Sequence, residues 1–184
     1  VHGTLIEATP FGPVVVIWAT VQGGPRIIRV LLSTPRMRAD DQAAAYYPQA
    51  RVGSCAEIDA VADGMRAFLE GDDVEFSLDI ADLDSCSPFQ QSVLRAEHAI
   101  PRSSVSTYRL IAARLGSPNG ARAVGNALAK NPFPLIVPCH RAIRSNRHLG
   151  GFQGGLEMKR ALLEMEGVGF DGVGRVIVER FHYA

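Results

Sequence analysis

The chain has 184 residues, 47% apolar and 21% charged, with 19 basic and 19 acidic side chains and a formal net charge of zero. This is the composition of a globular protein with one core or two small domains, and it excludes collagenous and disulfide-rich chains. No apolar run approaches the ~20 residues a bilayer span needs, and no basic stretch leads into a long apolar one, so no membrane association is expected and a cytoplasmic location is (nuclear in a eukaryote).

The elements, in chain order, begin with a β-branched run from Val14 to Val21. Gly23-Gly24-Pro25 reads as a turn and Ile27 to Leu32 as a second strand, so a hairpin is expected. Over 56–69 the apolar residues Ile58, Val61, Met65, Phe68 and Leu69 share one helical face. The stretch "VEFSLDI", residues 74–80, alternates strictly and predicts a half-buried strand. The polar "DLDS" marks a boundary, placing one domain at 1–84 and a second at 85–184.

Ser87-Pro88-Phe89-Gln90 then predicts a helix start, with serine as the cap and proline in the first turn. Thr107 to Leu115 and Ala121 to Lys130 read as two short helices around the turn Ser117-Pro118-Asn119-Gly120, the pattern of a helix-turn-helix. A last helix is expected from Leu156 to Glu166, closed by Gly167. The fold class is therefore α+β: a small antiparallel sheet with a helix, then a mostly helical domain carrying the helix-turn-helix.

Charge is unevenly spread. Residues 95–160 hold eleven basic side chains against two acidic ones, whereas residues 1–94 hold six against thirteen. A basic segment beside an acidic one suggests a surface for a polyanion. The second short helix presents mostly small residues and one arginine: Ala121, Arg122, Ala123, Gly125 and Ala129. A major-groove reader needs several long hydrogen-bonding side chains, so this helix suits sequence-independent, minor-groove binding of double-stranded DNA.

Three cysteines occur, Cys55, Cys86 and Cys139. The odd number and the lack of metal-ligand spacing favour reduced thiols, and no zinc or other metal site is expected. Cys139 stands in "LIVPCHRAI", directly before His140 and Arg141. A thiolate is the nucleophilic form of cysteine, and positive neighbours favour it, so a lowered thiol pKa is expected here. If the pair is extended, His140 cannot easily reach Cys139 directly, and contact would need a turn or a bridging water. A third, acidic group would orient the imidazole, and Glu166 is the candidate.

"NPFPLIVPCHRAI" followed by "LGGFQGGLEMKRALLEMEG", together with "ARAVGNAL", closely resembles the O6-alkylguanine-DNA alkyltransferases. The likeness runs ungapped from about Phe89 to Gly167. It implies a protein that binds the minor groove through the second helix of its helix-turn-helix, with Arg141 also in the DNA-binding set. It implies that an alkylated guanine is flipped out and Arg122 fills the gap. Cys139 would then take the alkyl group in one irreversible displacement. His140 would be the base, Glu166 its orienting partner, and Asn131 the support of the turn. Tyr108 would donate toward N3 of the leaving guanine. The Val137 carbonyl, Phe152 and Gln153 would line the base pocket. The resemblance implies a monomer, consumed in one turnover, that needs no cofactor.

The sequence departs from the family pattern in four ways. Arg102-Ser103 stands where an aromatic-glycine pair is common, Leu94 where tryptophan is, and Phe152 where tyrosine is. The zinc ligands some members carry in their N-terminal half are absent. Three other readings compete. Alkyltransferase-like proteins flag damage without repairing it, but hold another residue at the cysteine position. A transcriptional regulator would need a richer recognition helix. A cysteine hydrolase would pair its thiol with a histidine distant in sequence, such as His98 or His182.

Overall fold

The computed structural model describes residues 1–184, which divide into two compact units. The first comprises Val1–Ser85 with Pro132–Ile136, and the second Cys86–Asn131 with Val137–Ala184.

In the first unit, β1 (His2–Ile6), β2 (Val14–Val21) and β3 (Gly24–Leu32) are antiparallel neighbours. Helix α1 (Ala39–Tyr46) follows, then the two-residue β4 (Arg51–Val52), which joins β1 in parallel and completes the order β3-β2-β1-β4. The sheet is thus mixed at one edge, a refinement of the antiparallel expectation. Val14 to Trp18 are all buried, which is why β2 reads as a continuous apolar run rather than an alternating one. A register irregularity at Ile17/Trp18 bends the hairpin.

Helix α2 (Ala56–Glu70) buries Ile58, Ala62, Met65, Phe68 and Leu69, and ends where Gly71 adopts φ 105°, a left-handed cap that favours glycine. "VEFSLDI" forms no strand. Its side chains do alternate in exposure, but the segment runs alongside without a ladder and closes in a 3-10 turn at Leu78–Ile80, capped by the Ser77 hydroxyl. The serine's bond to the Asp79 amide offered the backbone a local alternative to sheet pairing. Neither α1 nor β1 was signalled in sequence.

In the second unit, α3 (Pro88–His98) starts as expected, with the Ser87 hydroxyl accepting from the Gln90 amide. The Gln90 side chain donates to the Ala127 and Lys130 carbonyls. A short strand β5 (Ser106–Thr107) leads into α4 (Tyr108–Arg114), whose cap is the Thr107 hydroxyl, and α5 (Ala121–Ala129) packs against α4 as a helix-turn-helix. A 3-10 turn at Cys139–Arg141 runs into β6 (Ala142–Ile143), which pairs in parallel with β5. Helix α6 (Leu156–Met165) follows the glycine loop. Val105, Ile143, Leu163, Val168 and Val176 form an apolar cluster that fixes α6 against the β5–β6 pair. No helix is long and apolar enough to cross a membrane.

Candidate active site

Cys139 opens the 3-10 turn behind Pro138, only 5% exposed, at the wall of a cavity of about 430 Å³. Tyr108 from α4, Gly125 and Ala129 from α5, and Phe152 and Gln153 from the glycine loop share that cavity. The structure therefore brings together the thiol, the tyrosine and the small face of the helix. Gly150 is required here: a Cβ on it would lie 2.0 Å from the Tyr108 hydroxyl. Val137 does not line the cavity. Its carbonyl accepts from the Cys139 amide at 2.7 Å and from Asn131 Nδ2 at 3.3 Å.

The electrostatics of Cys139 differ from the sequence expectation. Burial pushes the thiol up to about 11, partly offset by a hydrogen bond from the Asn131 side chain. Arg141 does not supply the expected positive field. Its guanidinium is turned into the protein, donating to Glu166 through Nε and Nη2 and to the Ile100 carbonyl through Nη1 at 2.6 Å. Arg141 is buried in this bridge, whereas Arg122 on α5 is exposed.

Behind the thiol, His140 Nε2 and Glu166 Oε1 lie 2.8 Å apart, both essentially fully buried. Burial lowers the His140 pKa below its ordinary value, despite the opposing pull of Glu166, so the ring is neutral at neutral pH. For Glu166, burial would raise the pKa, but the bonds from His140 and Arg141 outweigh it and hold the carboxyl at about 2. A neutral imidazole beside a fixed carboxylate is an arrangement able to accept a proton and stabilise the resulting cation.

Glu166 is itself held by backbone. Ser103 Oγ donates to the Glu166 carbonyl at 2.5 Å and Arg102 Nη2 to the Met165 carbonyl at 3.0 Å. These are end carbonyls of α6 that would otherwise lack helical partners. Ser103 sits at φ 64°, a conformation that favours glycine, which accounts for the glycine common at this position in the resembled family. The departure Arg102-Ser103 thus trades backbone ease for two bonds to the end of α6.

On α5, Arg122 and Ala123 are exposed and Ala121 and Gly125 half-buried. Residues 119–123 with Asn126 line a shallow groove of about 640 Å³. Gln153 Nε2 donates to the Asn131 carbonyl at 2.6 Å, tying the glycine loop to the residues just past α5. Phe152 meets the His140 ring edge-on at a centroid distance of 6.3 Å.

Two buried charged residues near the thiol escaped the sequence reading. Lys159 on α6 donates through Nζ to the Ala142 carbonyl at 2.7 Å and the Gly151 carbonyl at 3.3 Å, joining the cysteine turn to the glycine loop. Glu97 on α3 is fully buried. Helical spacing carried the signal for both: Lys159 lies three and four residues before buried Leu162 and Leu163, and Glu97 four and three after buried Val93 and Leu94.

Comparison with known proteins bears on the helix-turn-helix unit that carries this thiol. Residues 88–168 match the family model described as 6-O-methylguanine DNA methyltransferase, DNA binding domain. A methylated-DNA–protein-cysteine methyltransferase of Mycobacterium leprae is 41% identical over 124 residues, 65% of this chain and 73% of that protein. The protein of the same name from Methanothermobacter thermautotrophicus is 47% identical over 110 residues, 60% of this chain but only 61% of its own length. The crystal structure of Mycobacterium tuberculosis O6-methylguanine methyltransferase superposes with a TM-score of 0.71 at 30% identity, covering 90% of this chain and 92% of that one. A crystal structure of the M. tuberculosis protein named OGT in complex with DNA gives 0.68, again at 30%, covering 91% and 93%. The chain belongs to the methylated-DNA–protein-cysteine methyltransferase family.

Proposed function

We propose that this protein repairs DNA by direct reversal, moving the alkyl group of an O6-alkylguanine, most simply methyl, onto Cys139. The observation that carries the reading is the thiol at the wall of an open cavity, with the buried His140–Glu166 pair behind it. The α5 surface enters the minor groove of double-stranded DNA, with Ala121, Ala123, Gly125 and Ala129 allowing close approach and Arg122 taking the place of the flipped base. Flipping costs a few kcal/mol, least for a weakly paired damaged base.

The flipped guanine lies among Tyr108, Phe152 and Gln153. The Cys139 proton passes, through water, to neutral His140, and Glu166 stabilises the imidazolium. The thiolate sulfur forms a bond to the alkyl carbon as the carbon–O6 bond breaks. The released electron pair moves into the purine, and Tyr108 protonates N3. The imidazolium proton then restores the phenol, so the thiol proton ends on guanine. Burial raises the Tyr108 hydroxyl to about 12, so it is a protonated donor at neutral pH. The thioether does not turn over, and each chain acts once, as a monomer, in whichever compartment holds the DNA: the cytoplasm, or the nucleus in a eukaryote. No cofactor enters the scheme.

The test is the intact mass, with peptide mapping, after mixing the protein with duplex DNA carrying one O6-methylguanine. One added methylene on the Cys139 peptide, with guanine restored, is the expected result. Binding without mass change would instead place the chain among damage-flagging proteins, and neither binding nor transfer would favour the hydrolase reading.

A further inference from the structure

The scheme above supplies one proton donor to the departing guanine and no fixed charge to offset what builds up on it. The cavity holds such a charge. Arg144, the first residue after β6, lines the same space of about 430 Å³ as Cys139 and Tyr108, and it is exposed. The other walls are glycine, alanine, leucine and phenylalanine, apart from Gln153, whose amide nitrogen is committed to the Asn131 and Ala129 carbonyls at 2.6 and 3.5 Å. Besides the thiol, Tyr108 and Arg144 are therefore the lining side chains with hydrogens free to offer a base held before Cys139.

Arg144 is also left without a counterion. Arg141, Arg160 and Arg175 of the same unit pair with Glu166, Glu164 and Asp171. No carboxylate or carbonyl engages the Arg144 guanidinium. Its backbone, by contrast, is pinned. The Arg144 amide donates to the His148 carbonyl at 3.0 Å, and the Arg147 amide donates back to the Arg144 carbonyl at 2.9 Å. The Arg147 carbonyl in turn accepts from the Val176 amide at 2.9 Å. A closed turn, continuous with β6 and stitched to the C-terminal segment, thus fixes where the side chain starts. Its field is felt at the reacting groups. Burial dominates the upward shift of the Tyr108 hydroxyl, Glu97 and Cys139 add to it, and Arg144 opposes it by favouring the phenolate.

We propose that Arg144 is a further catalytic residue: its guanidinium stabilises the negative charge that the transfer places on the leaving purine and on Tyr108. The proposal rests on Cys139 as the alkyl acceptor. As the sulfur–carbon bond forms and the carbon–O6 bond breaks, the electron pair enters the purine, O6 becomes a carbonyl oxygen and the charge reaches N3. Tyr108 hands its proton to N3, and the charge then sits on the phenolate until the imidazolium proton returns. Arg144 gives up no proton and is a cation before and after. A guanidinium is charged throughout the working pH range of a protein, so the effect is present at neutral pH. A base in the cavity displaces water from around these groups, and the attraction strengthens.

A phosphate contact is the rival role for an exposed arginine, and the experiment separates the two with substrates that carry no phosphate. The full chain is compared with Arg144→Met and Arg144→Lys; because the guanidinium is exposed and unpaired, neither replacement removes a native bond. Benzyl transfer to the Cys139 peptide is timed by mass spectrometry with the free bases O6-benzylguanine and 8-aza-O6-benzylguanine. The added ring nitrogen makes the second purine a weaker base and a better leaving group, in less need of help. Methyl transfer from duplex DNA is timed in parallel. Arg144→Met should slow transfer about tenfold from O6-benzylguanine and only about threefold from the aza analogue, less than the loss of a fully enclosed oxyanion donor because Arg144 is open to water. Arg144→Lys keeps the charge and should stay within about threefold of wild type on both. Equal losses on the two free bases would mean an altered pocket and would overturn the proposal. So would a loss confined to duplex DNA, which is the signature of a phosphate contact. Normal transfer in wild type with an unaltered Arg144→Met overturns the proposal and leaves the repair reading standing. No transfer in wild type, from DNA or from either free base, overturns both.

Discussion

Replacing Glu166 by glutamine removes one charge and leaves a side chain of nearly the same shape. The carboxylate holds His140 and Arg141 at once, with distances of 2.7 to 3.2 Å and 1% of its side chain exposed. Its pKa falls from 4.5 to about 2 on folding, equivalent to about 3 kcal/mol of stability. Because the folded value is depressed, that stability is complete above the unfolded value of 4.5 and is lost as pH falls through about 2. Glu166→Gln should therefore be less stable than wild type by about 3 kcal/mol at pH 7, since the Arg141 charge stays buried without its counterion. The gap should close progressively between pH 5 and pH 2. His140 adds a separate acid limb in both proteins. Its folded pKa lies below 6.5, so the unfolded chain takes up the proton first and stability falls as pH drops below 6.5. Urea unfolding followed by far-UV circular dichroism at half-unit pH steps measures the difference. A gap that persists undiminished at pH 2, or no gap at pH 7, would refute the electrostatic account of Glu166.

The remaining predictions concern the pocket and the DNA surface. Gly150→Ala should place its methyl against the Tyr108 hydroxyl and slow alkyl uptake from both DNA and the free base O6-benzylguanine by about tenfold or more, with little change in DNA binding. Arg122→Ala should slow repair of duplex DNA far more than reaction with that free base, and equal losses would remove its role in base flipping. Lys159→Met leaves two carbonyls, Ala142 and Gly151, without their donor and should cost about 2–4 kcal/mol in urea unfolding. Cys139→Ala should abolish alkyl transfer while DNA affinity, read by fluorescence anisotropy, stays within about twofold of wild type.

What the sequence made legible was periodic or punctuated. The face of α2, the Ser87 cap and the Gly167 stop are local signals, and these elements formed within a residue or two of their expected bounds. "VEFSLDI" shows the limit of periodicity: alternating burial specifies which side chains turn inward but not whether a neighbouring strand is there to pair. Helix α1 was invisible because its apolar content is a run of alanines, with Ala39 alone fully buried. In the candidate site, His140 and Glu166 lie 26 residues apart in sequence and 2.8 Å apart in space, a proximity that residue types alone could only suggest. Arg141 was misjudged for the opposite reason. Adjacency in sequence implied a partner for Cys139, whereas the 3-10 turn rotates the guanidinium toward Glu166. Glu97 and Lys159 were passed over because charged residues are ordinarily assigned to solvent, even when their spacing places them on a buried face.

The five residues Pro132–Ile136 impose an order on biosynthesis. They belong to the first unit, where the Pro132 carbonyl accepts from the Val30 amide of β3 and Phe133, Leu135 and Ile136 are almost wholly enclosed. As the chain leaves the ribosome, residues 1–85 are ready long before this segment exists. At common translation speeds the delay is roughly 3 to 10 s, during which the first unit lacks part of its core. The two units thus cannot mature strictly one after the other, and no single cut between residues 85 and 86 yields two complete pieces. A gene for either unit alone would have to be rejoined around the missing or surplus segment.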